Sequence, residues 1–124
     1  MTAVVSATLP YPPSANKMWR FVAGKKTPLK SEDYRDWQAR ADGCLVMADR
    51  GQIRGAHRIE IVAFRPDRRA RDLDNLIKPI LDIIKDGKYL KGLIRDDADT
   101  QAIAIEWADA EPSDRGVLVT VRAA

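Results

Sequence analysis

The chain has 124 residues, 45% hydrophobic and 31% charged, which suits one domain with its own core and excludes a disordered tail or two separately folded domains. Cys44 and His57 are the only cysteine and histidine, so neither an intrachain disulfide nor a Cys/His zinc site can be assembled. The formal charge of +3 is unevenly divided: Met1 to Arg71 carries 14 basic and 7 acidic residues, whereas Asp72 to Ala124 carries 7 basic and 11 acidic ones.

A basic half suits a polyanion such as nucleic acid, while an acidic half needs another purpose. No basic leader precedes the short apolar run at the N-terminus, and no stretch of about 18 apolar residues occurs, so a soluble cytoplasmic protein without a membrane partner is expected.

In chain order, Val4 to Leu9 reads as a strand ended by Pro10, and Pro10-Tyr11-Pro12-Pro13-Ser14 is held extended because each proline restricts its predecessor. Phe21 to Lys30, with Gly24, Pro28 and the pair Lys25-Lys26, reads as a polar, basic loop. Ser31 is placed as an N-cap, Glu32 and Asp33 suit the positive end of a helix, and Tyr34, Trp37, Ala41, Leu45 and Ala48 recur at helical spacing, predicting a helix from Glu32 to Arg50.

Ile59, Ile61 and Ala63 then alternate with Glu60, Val62 and Phe64 in a strand that ends at Pro66. Leu73, Leu76, Ile77, Ile80, Leu81 and Ile84 form a stripe that only a helix brings together, starting at Asp74 or Asn75. Pro79 should fall near its first turn or bend it, because an interior proline deletes a hydrogen bond. Gln101 to Trp107 and Gly116 to Arg122 complete the order β-α-β-α-β-β, joined by the turn-rich Asp109 to Arg115.

The chemistry concentrates between the second strand and the second helix, where Arg65, Arg68, Arg69 and Arg71 abut the acids Asp72 and Asp74. In an extended segment an i, i+2 pair projects to one side at about 6 Å, a like-charge placement relieved by a cation between the groups. Oxygen ligands without histidine or thiolate select Mg²⁺ or Mn²⁺, and Mg²⁺ keeps positions open for water and phosphate. Alternatively the two acids are a helix N-cap and a first-turn acid.

Lys78, four residues after Asp74, can reach the same helix face near a phosphate, or form an ordinary i, i+4 ion pair. Asp96, Asp97 and Asp99 precede the third strand; a loop running back across the sheet would bring one of them beside the first pair, and otherwise they form a solvated turn. Lys25, Lys26, Arg68, Arg69 and Arg71 are the candidate phosphate contacts. Trp19, Trp37 and Trp107 are expected in the core or at an interface, and Cys44 and His57 to be structural. Without GxxxxGK or GxGxxG, nucleoside-triphosphate and dinucleotide readings lose support.

Three blocks together resemble the RusA family of Holliday-junction endonucleases: Leu9-Pro10-Tyr11-Pro12-Pro13-Ser14-Ala15-Asn16, Pro66 to Lys78, and Gly92-Leu93-Ile94-Arg95-Asp96-Asp97. The middle block is the specific one; Ala70 interrupts an arginine run continuous in some members. The resemblance implies an α+β fold with a mixed sheet and two helices, a homodimer, and a phage or prophage origin. It implies Asp72, Asp74 and Asp97 as metal-binding acids and Lys78 as the catalytic lysine.

The implied activity is Mg²⁺-dependent hydrolysis of four-way DNA junctions by paired symmetrical nicks, in recombination and repair, with a metal-activated water attacking the phosphorus in line. A non-catalytic DNA-binding or architectural protein would need the arginines but not five clustered carboxylates. A generic interaction domain would use those acids as caps and turns.

Overall fold

In a computed structural model, which describes residues 3–48, 51–87, 91–109 and 116–124, the alternating apolar residues of the chain build one face of a four-stranded sheet. Strands β1 (Val4–Leu9), β4 (His57–Phe64), β5 (Thr100–Ala108) and β6 (Val117–Ala123) lie in the order β1-β6-β4-β5. β6 runs antiparallel to both β1 and β4, and β4 runs parallel to β5, so the sheet is mixed. Ile59, Ile61 and Ala63 of β4 and Val117, Val119 and Val121 of β6 are buried, as the period of two requires.

Helix α1 (Glu32–Met47) begins where expected: the Ser31 hydroxyl accepts a hydrogen bond from the Tyr34 amide at 3.1 Å. Tyr34, Trp37, Ala41 and Leu45 form its buried face, and Trp37 Nε1 donates to the Pro10 carbonyl at 2.8 Å, fastening the proline-rich exit of β1 to the helix. The helix ends at Met47 rather than Arg50; Asp49 and Arg50 lie outside the described residues. Cys44 is exposed on α1, so the expected structural role is not one of core packing.

Helix α2 (Asp74–Ile84) buries Leu76, Pro79, Ile80, Ile83 and Ile84, while Leu73, Ile77 and Leu81 are half-buried. Pro79 therefore sits in the second turn, not the first, and contributes an apolar ring to the core in exchange for the amide that would have bonded the Asn75 carbonyl. Full burial of a side chain such as Ile80 or Ile84 stabilises by about 1.5–3 kcal/mol.

The segment expected as a polar, basic loop, Phe21 to Lys30, closes a short hairpin: β3 (Leu29–Lys30) at its end pairs with β2 (Trp19–Arg20) just before it. Two-residue strands carry no alternation to read, which is why the pattern did not reveal them. His57 is 1% exposed; its Nδ1 lies 2.9 Å from the Gly55 carbonyl, to which it donates, and its Nε2 2.6 Å from Thr100 Oγ1, so both ring nitrogens have partners. It joins the first residues of β4 and β5 and is structural. The turn expected at Asp109 to Arg115 falls mostly outside the described residues. Among the described residues no helix is long and apolar enough to cross a membrane.

Candidate active site

Between β4 and α2 the loop is organised by one carboxylate. Asp67 accepts from Arg71 Nη2 at 2.7 Å and Arg71 Nε at 3.2 Å, and from the Arg69 amide at 3.0 Å and Arg69 Nε at 3.1 Å. These charge-assisted bonds, led by the one from Arg71, hold the Asp67 carboxyl far below the usual carboxylate range, and the same contact raises the Arg71 pKa. The Arg71 guanidinium also lies 5.6 Å from the Tyr11 ring centroid, and Arg65 caps the Trp107 ring at 4.7 Å. Arg68, by contrast, is exposed with no ion-pair partner among the described residues.

Asp72 and Asp74 follow directly and both are exposed. The segment between them is not extended: Leu73 has φ −59° and ψ −39°, and the Asn75 amide bonds the Asp72 carbonyl at 3.3 Å. The helix starts at Asp74, as expected, but the expected one-sided i, i+2 projection is replaced by a helical turn, because the cap residue Leu73 already has helical dihedrals. Among the described residues neither carboxylate has a hydrogen-bond or ion-pair partner, although arginines surround them, since Asp67 already occupies Arg69 and Arg71.

Asp72 lines a cavity of about 260 Å³ with Tyr11, Ser14, Arg71 and Asn75. The Tyr11 hydroxyl is buried and has no hydrogen-bond partner among the described residues, and burial pushes its pKa up. Asp72 thus offers a carboxylate beside a hydroxyl and an amide side chain, hard-oxygen donors of the kind Mg²⁺ or Mn²⁺ takes, while Asp74 lies outside the cavity lining. Asp72 and Asp74 could each supply an oxygen ligand; among the described residues no group of three acidic, histidine or cysteine side chains that could hold a metal ion is formed.

The expected approach of the later acids is not realised within the chain. Gly92 packs directly on the Ile84 carbonyl, its amide donates to Asp86 Oδ1 at 2.8 Å, and the Ile94 amide bonds the Ile84 carbonyl at 3.1 Å. These contacts fasten the segment before β5 to the C-terminal end of α2. Asp97 Oδ2 accordingly lies 3.8 Å from Lys85 Nζ, whereas Asp72 and Asp74 sit at the other end of a helix of 11 residues, about 16 Å away along its axis.

The sheet dictates this separation: β4 and β5 are parallel, so the residues leaving β4 and those entering β5 lie at opposite ends of the strands. Asp96 is spent as the cap of a short 3₁₀ turn, accepting from the Ala98 amide at 2.9 Å. Lys78 is exposed and pairs with Asp82 at 3.2 Å rather than with Asp74. Asp82 is also 3.9 Å from Lys85, so Lys78, Asp82, Lys85 and Asp97 form one charged file along α2. Sequence reasoning missed Tyr11, Asn75 and Asp82; the i, i+4 spacing of Lys78 and Asp82 was the available signal.

The α+β domain therefore carries an arginine-braced loop that leads into two exposed carboxylates, cations and acids on one surface of the kind a nuclease uses. Residues 10–122 match the family described as Endodeoxyribonuclease RusA, and the chain belongs to that family. Crossover junction endodeoxyribonuclease RusA from Escherichia coli strain K12 is 40% identical over 80 residues, which covers 64% of this chain and 65% of the relative. The proteins of the same name from Escherichia coli O1:K1 and O6:H1 match with the same identity and coverage. The alignment thus spans just under two thirds of these relatives' length.

Proposed function

We propose that the protein is a divalent-metal-dependent endodeoxyribonuclease that resolves four-way DNA junctions by paired symmetrical nicks, in recombination and repair. The observation that carries this reading is the pair of exposed carboxylates at Asp72 and Asp74, without a partner among the described residues and set at the end of an arginine-rich loop in a chain of the RusA family. Mg²⁺ is the expected ion and Mn²⁺ its substitute.

Asp97 completes the site from a second copy of the chain. In a two-fold dimer the end of α2 that bears Asp72 and Asp74 meets the partner's end that bears Asp97, and the reverse, giving two equivalent sites. The 3.8 Å contact with Lys85 holds Asp97 at the surface, 39% exposed, where another copy can reach it. A junction offers two equivalent strands, and two sites match that symmetry.

The bound ion would supply Lewis-acid activation of water and of the scissile phosphate. The three carboxylates hold it; Lys78, on the exposed face of α2, stabilises charge on phosphate oxygens; Arg68, Lys25 and Lys26 bind backbone phosphates. Arg69 and Arg71 brace the loop through Asp67 and present their remaining donors to DNA. The test is incubation with a labelled four-way junction and a matched linear duplex, with and without Mg²⁺. Symmetrical nicking of the junction alone, lost in Asp72→Asn and Lys78→Ala, is expected; junction binding that is insensitive to EDTA and yields no product would assign a non-catalytic DNA-binding role instead.

A further inference from the structure

The hairpin that the sequence pattern did not disclose carries Phe21 at its tip, 86% exposed, whereas the next most exposed aromatic among the described residues, Trp19, is 42% exposed. Its base is rigid. The Ser31 amide bonds the Met18 carbonyl at 2.8 Å, Ser31 Oγ donates to the Lys17 carbonyl at 2.7 Å, and the Trp19 ring meets Tyr34 edge-on at 6.0 Å. The tip is shaped by a tight turn in which the Lys25 amide bonds the Val22 carbonyl at 3.1 Å, with Gly24 at φ +81° as a type II turn demands of its third residue.

Phe21 and Val22 thus lead into the turn and Lys25 and Lys26 leave it. From Lys17 to Lys30 the chain has five basic residues and no acidic one. An exposed ring on a hairpin whose charges are all basic matches a polyanion that also offers flat apolar faces: phosphates for the lysines, bases for the ring. Continuous duplex hides its base faces by stacking, whereas a branch point interrupts that stack.

We propose that Phe21 is a wedge that stacks on a base at the crossover of branched DNA, making the hairpin the element that distinguishes a branch from a linear duplex. The inference rests on the junction reading above and adds a specificity-determining residue to it. Lys25 and Lys26 clamp the flanking phosphates without regard to sequence, and the ring inserts where a stack is already broken, as apolar wedges do at kinked steps.

The experiment compares the full-length protein with Phe21→Ala and Phe21→Trp, binding in Ca²⁺ to a four-way junction carrying 2-aminopurine at the crossover and to a linear duplex of the same sequence. Wild type and Phe21→Trp should raise the fluorescence as the reporter base unstacks. Phe21→Ala should lose that rise and about tenfold in junction affinity, with duplex affinity unchanged. Retention of both the rise and the affinity by Phe21→Ala overturns the wedge, as does a loss confined to dimer stability in sedimentation. Wild type that cleaves junctions while Phe21→Ala matches it in binding defeats the wedge alone; wild type that neither binds nor cleaves junctions defeats the function as well.

Discussion

Asp97 stands 3.8 Å from Lys85, one residue beyond the C-terminal end of α2, while Asp74 opens that helix. The acids that the chain's pattern groups into one site are therefore divided between the two ends of a single helix. That division yields a complementation test. Asp72→Asn and Asp97→Asn should each abolish junction cleavage alone, and mixing them under conditions of subunit exchange should restore nicking to about a quarter of wild type, since half the dimers carry one intact site. Those dimers nick one strand and do not resolve the junction. Mixtures as inactive as either parent would contradict a shared site.

Asp67 gives a pH signature with a definite sign. Its carboxyl has a pKa lowered in the folded state, so its contribution to stability is present above the unfolded carboxylate pKa of about 3.9 and is lost as pH falls through the lower folded value. Urea melts of wild type and Asp67→Asn should differ by a constant amount from neutral pH down to the ordinary carboxylate range, then converge in stronger acid. A difference that grows on acidification would refute this. Because the substitution also removes a negative charge beside Arg69 and Arg71, it should tighten DNA binding generally and steepen the salt slope by about one unit.

Tyr11→Phe removes a buried hydroxyl that has no partner among the described residues. Such a group costs about 1–3 kcal/mol when left unsatisfied, so without divalent metal the variant should be as stable as wild type or more stable by about 1 kcal/mol. Thermal melts with and without Mg²⁺ check this: if the hydroxyl serves a ligand held by Asp72, wild type should gain more from Mg²⁺ than the variant does. A variant markedly less stable in EDTA would show that the hydroxyl has a partner.

Gly92→Ala should be severely destabilising, by about 2–4 kcal/mol, because an added Cβ would collide with the backbone carbonyl of Ile84. Gly43, where nothing approaches the position of a Cβ, is the control: Gly43→Ala in the middle of α1 should stabilise by about 0.5–1 kcal/mol. Denaturant midpoints of the two variants should move in opposite directions, and equal shifts would show that the close approach at Gly92 is relieved at little cost.

Much of the architecture was legible because it rests on local periodicity. The alternation at Ile59, Ile61 and Ala63 and the Ser31 cap reappear as β4 and the start of α1. The order of strands in the sheet was not, since pairing joins residues far apart along the chain. Asp97 shows what followed from that gap: two neighbouring acidic motifs look like one site until the parallel pairing of β4 and β5 is known. A β-α-β succession already hints at a parallel pair, and a parallel pair puts its two loops at opposite ends. Phe21 escaped notice for the opposite reason, because a two-residue strand leaves no repeat to detect.

The packing of Gly92 on the last turn of α2 turns that helix into a gauge. With both of its ends pinned, one by the arginine-braced loop and the other by the Ile84 and Ile94 bond at 3.1 Å, its length sets how far apart the acidic groups are held. Inserting four residues would move them about 6 Å further apart and swing one about 40° around the helix axis relative to the other. Side chains along this helix are open to exchange in ways that its residue count is not.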